Sequence, residues 1–173
     1  MSKLYIFDAA CKLVRKYGTR DPLRIIKESG AILKYSDRYE KLKGYYFNSL
    51  RSHYIVINSK LPPDERRIVA AHELGHYVLH RELAREAPIS DSAMFTVARR
   101  HEYEANIFCA ELLLDDDDVC SAAKDTDGDF FAVSSRLRVL PELLLFKMYS
   151  MNSRGWHFRL PFSLDSAFLK EKA

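Results

Sequence analysis

The chain has 173 residues, with 27 basic and 24 acidic side chains and a formal net charge of +3. That excess is too small to argue by itself for a nucleic-acid partner. The composition, 47% hydrophobic and 29% charged, suits one soluble domain with a core of useful size. Three cysteines (Cys11, Cys109 and Cys120) without CxxC spacing argue against a disulfide framework.

Taken in chain order, residues 3–17 carry apolar side chains at helical spacing, with Ser2 as a possible N-cap and Gly18 as the stop. A second helix starts at Asp21 and Pro22 and closes at Gly30. "AILKY" then reads as a short strand. "GYYFN" and "HYIVIN", separated by "SLRS", read as an antiparallel hairpin. "LPPDERR" marks the start of a long helix reaching about His80, with prolines at its head and acids in its first turn. "PISDSAM" reads as a loop. A further helix is expected from about residues 95–100 to Leu113, another from "DDDDV", and a last one over "PELLLFKMYSM", ended by "NSRG". The order predicts an α+β fold: a small, antiparallel-containing sheet packed against helices. Residues 1–173 read as one domain, with about 125–173 as a helical extension of it. No leader and no apolar run of about 18 residues is visible, so the expectation is a cytoplasmic protein with no membrane partner, and a monomer.

The long central helix carries "HELGH". His72 and His76 are four residues apart, so both imidazoles leave one helix face, and that face is otherwise apolar. This HExxH spacing lets two ring nitrogens ligate one zinc ion at about 2.0–2.1 Å. Glu73 then lies beside the metal, where it can act as general base. Ala70, Ala71 and Gly75 let other elements approach closely. The pattern does arise by chance, but a chance copy falls most often on a polar surface helix, and bare core histidines would each need a buried partner. His80 cannot reach the same ion: eight residues on, it is rotated about 80° and displaced about 12 Å along the axis. It reads as a last-turn residue favourable to the helix dipole.

A third ligand is needed. In "RRHEYEANIFCAELLLDDDD", Glu102 can supply a carboxylate, and Asn106, one turn later, can orient a histidine ring. Glu104 points about 200° away from Glu102, so one of the two can face the metal. His53, His101, Tyr103 and His157 are open candidates for stabilising an oxyanion.

Two other signals are discounted. "DTDGDF" lacks the glycine and glutamate positions of a calcium loop and reads as a turn with capping acids; "DDDD" reads as a solvated helix start. "FFAVSSRLRVLPELLLFKMYSM" has the outline of a helix-turn-helix, but its second helix offers mainly Leu, Phe and Met, not base-reading side chains. No direct contact with nucleic acid is expected. Trp156 reads as an anchor for the tail.

Together, "YGTRDP", "LKGYY", "IVIN", "AHELGHYVLH", "EYEANIFCAELLL" and "VLPELLLFKMYSM" resemble the ImmA/IrrE metallopeptidases of the gluzincin group. The family pattern E-x-x-x-N/D followed by F-x-A-x-L-L fits Glu102 to Leu113 in register; Asp115 stands where relatives often carry proline. The resemblance selects Glu102 over Glu104 as third ligand. It implies a zincin-like fold and a zinc endopeptidase with His72, His76 and Glu102 on Zn2+ and Glu73 as base. It also implies an anti-repressor role on a prophage or integrative element, through cleavage of a helix-turn-helix repressor encoded nearby. The rival reading is a non-enzymatic, zinc-containing regulator that inhibits a transcription factor by contact; an intact Glu73 favours the enzyme. Substrate is expected to add as a β-strand, with residues 44–47 as the exposed edge and "HYIVIN" as the interior strand.

Overall fold

The computed structural model describes residues 4–85, 89–91 and 99–161; the Ser2 cap, most of "PISDSAM" and the end of the chain lie outside them. Helix α1 (Leu4–Tyr17) buries Ile6 and Ala10 and stops at Gly18, whose φ of +62° needs a residue without a side chain. Helix α2 (Pro22–Glu28) is capped as expected: the Asp21 side chain accepts from the Leu23 amide at 3.0 Å, and Pro22 occupies its first turn.

Four strands follow the order β1-β3-β2-β4. Strand β1 (Ile32–Ser36) runs parallel to β3 (Ser52–Asn58), and β2 (Gly44–Ser49) pairs antiparallel with β3. The interior place expected for "HYIVIN" is the one it takes, between β1 and β2. The edge assignment of residues 44–47 is overturned. Strand β4 (Ile89–Asp91) pairs with β2 through Gly44–Asp91, Tyr45–Ser90 and Tyr46–Ile89. Strand β4 stands within the "PISDSAM" segment expected as loop; three residues are too few to show a period in the sequence. The hairpin turn between β2 and β3 places Leu50 and Arg51 at φ of 50° and 63°, the two positive values that a type I′ turn requires.

Helix α3 (Pro63–Leu79) crosses the inner face of the sheet, and α4 (Arg100–Leu113) packs on α3. The two helices approach closely because Gly75 has no side chain: a β-carbon there would stand 3.1 Å from Phe108 Cδ1 and 3.3 Å from Ala105 Cα. Helices α1 and α7 (Pro141–Ser153) pack against α4. Between them run α5 (Asp116–Asp125) and α6 (Phe130–Leu137), with caps from Asp115 and Asp129. One apolar cluster extends from Ile6 to Met151. The "DTDGDF" segment is the turn it was expected to be, with Asp127 and Gly128 at positive φ and Asp129 capping α6.

Helix α7 buries Leu143 to Met148 together with Ser150 and Met151. Its Lys147 is 1% exposed and donates to Glu111 Oε2 at 2.6 Å. Arg154 donates to both Glu111 and Asp116. Asp116 is therefore not the solvated acid read from "DDDD": it closes a buried ionic cluster with Lys147 at 2.5 Å. Among the described residues no helix is long and apolar enough to cross a membrane.

Candidate metal centre

Helix α3 delivers His72, Glu73 and His76 to its interface with the sheet and α4, all 1% exposed or less. Helix α4 delivers Glu102 from its first turn. His72 Nε2 and His76 Nε2 are 3.1 Å apart, and Glu102 Oε2 lies 3.2 Å from the first and 3.6 Å from the second. Ligand atoms held about 2.0–2.1 Å from a tetrahedral centre stand ~3.3–3.4 Å apart, so the observed triangle fits a small tetrahedral cation. The donor chemistry agrees: two imidazoles, one carboxylate, all buried. A three-ligand set of this kind leaves one coordination position for water or substrate.

Electrostatics sharpen the fit. Burial holds His76 down at about 4, so its ring is neutral at neutral pH. Burial pushes the Glu102 carboxyl up, but hydrogen bonds with the two imidazoles outweigh it and hold the group below the usual carboxylate range. The site thus presents a neutral His76 ring and one negative oxygen, which suits a divalent cation.

The Glu73 side chain reaches the sheet. Its Oε1 and Cγ pack against Gly44 at the head of β2, where a β-carbon would fall 3.1 and 3.2 Å away. Asn106, one turn after Glu102, is 1% exposed in the same helix interface.

The four residues left open for oxyanion stabilisation separate clearly. His101 is at the site: its Nε2 lies 3.2 Å from Glu102 Oε1, and its ring is 6.0 Å from that of His76. Tyr103 turns the other way, against Phe146 and Tyr149. His53 stacks on Tyr46, with its Nδ1 2.7 Å from the tyrosine hydroxyl. His157 lines a separate pocket with Cys120, Trp156 and Phe158.

His80 stands at the end of α3 as expected, as a 7%-exposed C-cap whose Nδ1 meets His76 Nδ1 at 3.1 Å and whose Nε2 meets Glu104 Oε2 at 3.0 Å. Burial pushes Glu104 up, but hydrogen bonds from His80, Arg100 and Tyr5 bring it down to about 2. A helical wheel set His80 apart from His72 and left Glu102 and Glu104 open; it could not show that the His80 and Glu104 side chains meet across α3 and α4. Gly44 was also missed, although a glycine inside a strand is itself a sign of close backbone approach.

An HExxH pair on a central helix, a third acid from the next helix, and a small mixed sheet beside them define a zincin-like α+β protein. The chain matches the IrrE N-terminal-like domain of the peptidase M78 family over residues 31–149, and it belongs to that family. It is also 36% identical over 108 residues to the uncharacterized immunity region protein 2 of Bacillus phage phi105, a match covering 62% of this chain and 67% of the phage protein.

Proposed function

We propose that this chain is a zinc-dependent endopeptidase that cleaves a helix-turn-helix repressor encoded nearby and so derepresses phage or mobile-element genes. The observation that carries the reading is the buried triangle of His72 Nε2, His76 Nε2 and Glu102 Oε2, with Glu73 one residue from the first ligand. Family membership and the phage immunity relative support a repressor-regulating role.

His72, His76 and Glu102 would hold the zinc, which when bound would supply Lewis-acid chemistry toward a scissile carbonyl and an attacking water. Glu73 takes the proton of the attacking water on its carboxylate and passes it to the leaving amine. Gly44 and Val69 wall the Glu73 side chain, which limits where that carboxylate can swing. His101 engages the Glu102 oxygen that faces away from the two imidazoles, and so fixes the carboxylate that completes the donor set. Among the described residues β4 is the outer strand beside β2, and an extended substrate backbone adds there.

The test separates ligands from base. Metal analysis is paired with a cleavage gel on the repressor from the neighbouring gene. His76→Ala and Glu102→Gln should lose zinc; Glu73→Gln should keep zinc and lose cleavage. A Glu73→Gln protein that cuts at the wild-type rate sinks the mechanism. A wild type that binds the repressor tightly without cutting it points to the contact inhibitor instead.

A further inference from the structure

Helix α7 runs into a segment that the chemistry above does not use. Gly155 turns the chain at a φ of 99°, its amide donates to the Asn152 carbonyl at 3.1 Å, and the Trp156 amide donates to the Met151 carbonyl at 3.2 Å. This is a Schellman ending of the helix. The Asn152 side chain then grips the main chain of Phe158: it accepts from the Phe158 amide at 2.8 Å and donates to the Phe158 carbonyl at 2.9 Å. The backbone is thus pinned without help from the indole, and Trp156 is 43% exposed. Its ring stacks on Phe158, with centroids 6.0 Å apart and planes 12° apart. The pair walls a cavity of about 430 Å³ shared with the end of α5. Lys124 and Arg159 line the same cavity; both are exposed, and neither takes part in an ion pair among the described residues. Asp127 is the only acid among the described lining residues.

We propose that this cavity binds a free nucleotide, with the base stacked on Trp156 and the phosphate met by Lys124 and Arg159. The ring sets the first half of the ligand. It is rigidly presented and open, and stacking on such a ring suits any nucleobase because every base has a π-face. The cations set the second half: two positive side chains without acid partners call for an anion beside the base. The volume lies within the usual range of small-ligand pockets, roughly 300–1,000 Å³. A strand of nucleic acid would need successive rings for successive bases and a groove of cations along its backbone. One stacked pair and two cations suit a single nucleotide. The cavity is built on α5 and the segment after α7, whereas the metal group stands on α3 and α4, so the proposal is independent of the zinc reading.

Trp156 is the only tryptophan in the chain, so its fluorescence reports on this cavity directly. Adenosine and guanosine monophosphates titrated into the full chain should quench it saturably. Adenosine, which keeps the base and lacks the anion, should bind about 10-fold more weakly; ribose 5-phosphate, which keeps the anion and lacks the base, should leave the emission unchanged. Added salt should weaken the nucleotide more than the nucleoside. Lys124→Ala combined with Arg159→Ala should bring the nucleotide down to the affinity of adenosine. Trp156→Ala, read by calorimetry, should bind adenosine monophosphate on the order of 10–100-fold more weakly. Absence of saturable quenching overturns the site, and equal affinity for adenosine and its monophosphate overturns the role of the cations. A short single-stranded oligonucleotide that binds far more tightly than its own mononucleotides overturns the free nucleotide and assigns the ring to a strand. If Trp156→Ala does not fold, the paired surface variant decides: wild-type affinity for the nucleotide there overturns the proposal.

Discussion

Gly44 lies against Glu73 so closely that a β-carbon on the glycine would stand 3.1 Å from Glu73 Oε1 and 2.5 Å from Val69 Cγ1. A strand of the sheet and the carboxylate proposed as general base thus share one van der Waals boundary. Gly44→Ala forces one of them to move, and Val69 is packed at 2% exposure. The expected outcome is intact zinc content with cleavage lowered on the order of 10–100-fold, the usual cost of misplacing a reacting group by about an ångström. A Gly44→Ala enzyme with full activity would show that the boundary does not position Glu73.

Asn106 is buried one turn beyond Glu102. Replacing it with alanine removes polar atoms from the same interface while leaving helix propensity favourable. Zinc affinity of Asn106→Ala should fall about 10–100-fold with the fold retained. Circular dichroism and a chelator titration check the two halves; unchanged affinity refutes the assignment of Asn106 to the metal's support.

The hairpin turn between β2 and β3 holds two non-glycine residues in the left-handed region, and Leu50 is 94% exposed. Left-handed conformation is costly for a side chain such as leucine, roughly 1–2 kcal/mol, and cheap for asparagine or glycine. Leu50→Asn with Arg51→Gly should raise Tm by about 2–4 °C per kcal/mol recovered. Calorimetry that shows no gain would mean the turn relaxes away from this geometry in solution.

The cluster of Lys147, Glu111, Asp116 and Arg154 makes a prediction with a pH signature. Lys147→Met leaves Glu111 buried beside one cation fewer and should cost about 3–5 kcal/mol in denaturant melts. Asp116 behaves differently because it is partly exposed. Burial pushes its carboxyl up, but hydrogen bonds from Arg154 and Lys147 outweigh that and bring it to about 2. An unfolded aspartate titrates near ~3.9, so the depressed group stabilises the fold in full above that value, and the contribution fades as pH falls through about 2. Asp116→Asn should be less stable than wild type at neutral pH, and the gap should close between about pH 4 and pH 2. A gap independent of pH would assign the effect to packing.

Elements with local signals were legible in the sequence. Asp21 and Pro22 announced α2, the double proline and acids announced α3, and the HExxH spacing named two members of the metal group without any tertiary knowledge. Glu102 required a second, distant segment and was chosen by the resemblance rather than by spacing. What stayed hidden depends on contacts across the chain. The parallel pairing of Ile32–Ser36 with Tyr54–Asn58 is nonlocal. Strand β4 is too short for its residues to show a period, and without it residues 44–47 looked like an edge. Tyr46 is fully buried between two strands, and proline there would damage the sheet. Lys147 sat in a run of Leu, Phe and Met, where one charge carries no hint of the acids that receive it.

Helix α1, which buries Ile6 and Ala10, lies upstream of the segment 31–149 that defines the family. Helix α2 behaves likewise: the Ser29 carbonyl accepts from the Tyr77 hydroxyl, and Ile25 and Ile26 are fully buried. A fragment cut at the family boundary would carry the three candidate ligands and the proposed general base, yet open part of the core. The borders by which such proteins are recognised are therefore narrower than the borders within which this one is built.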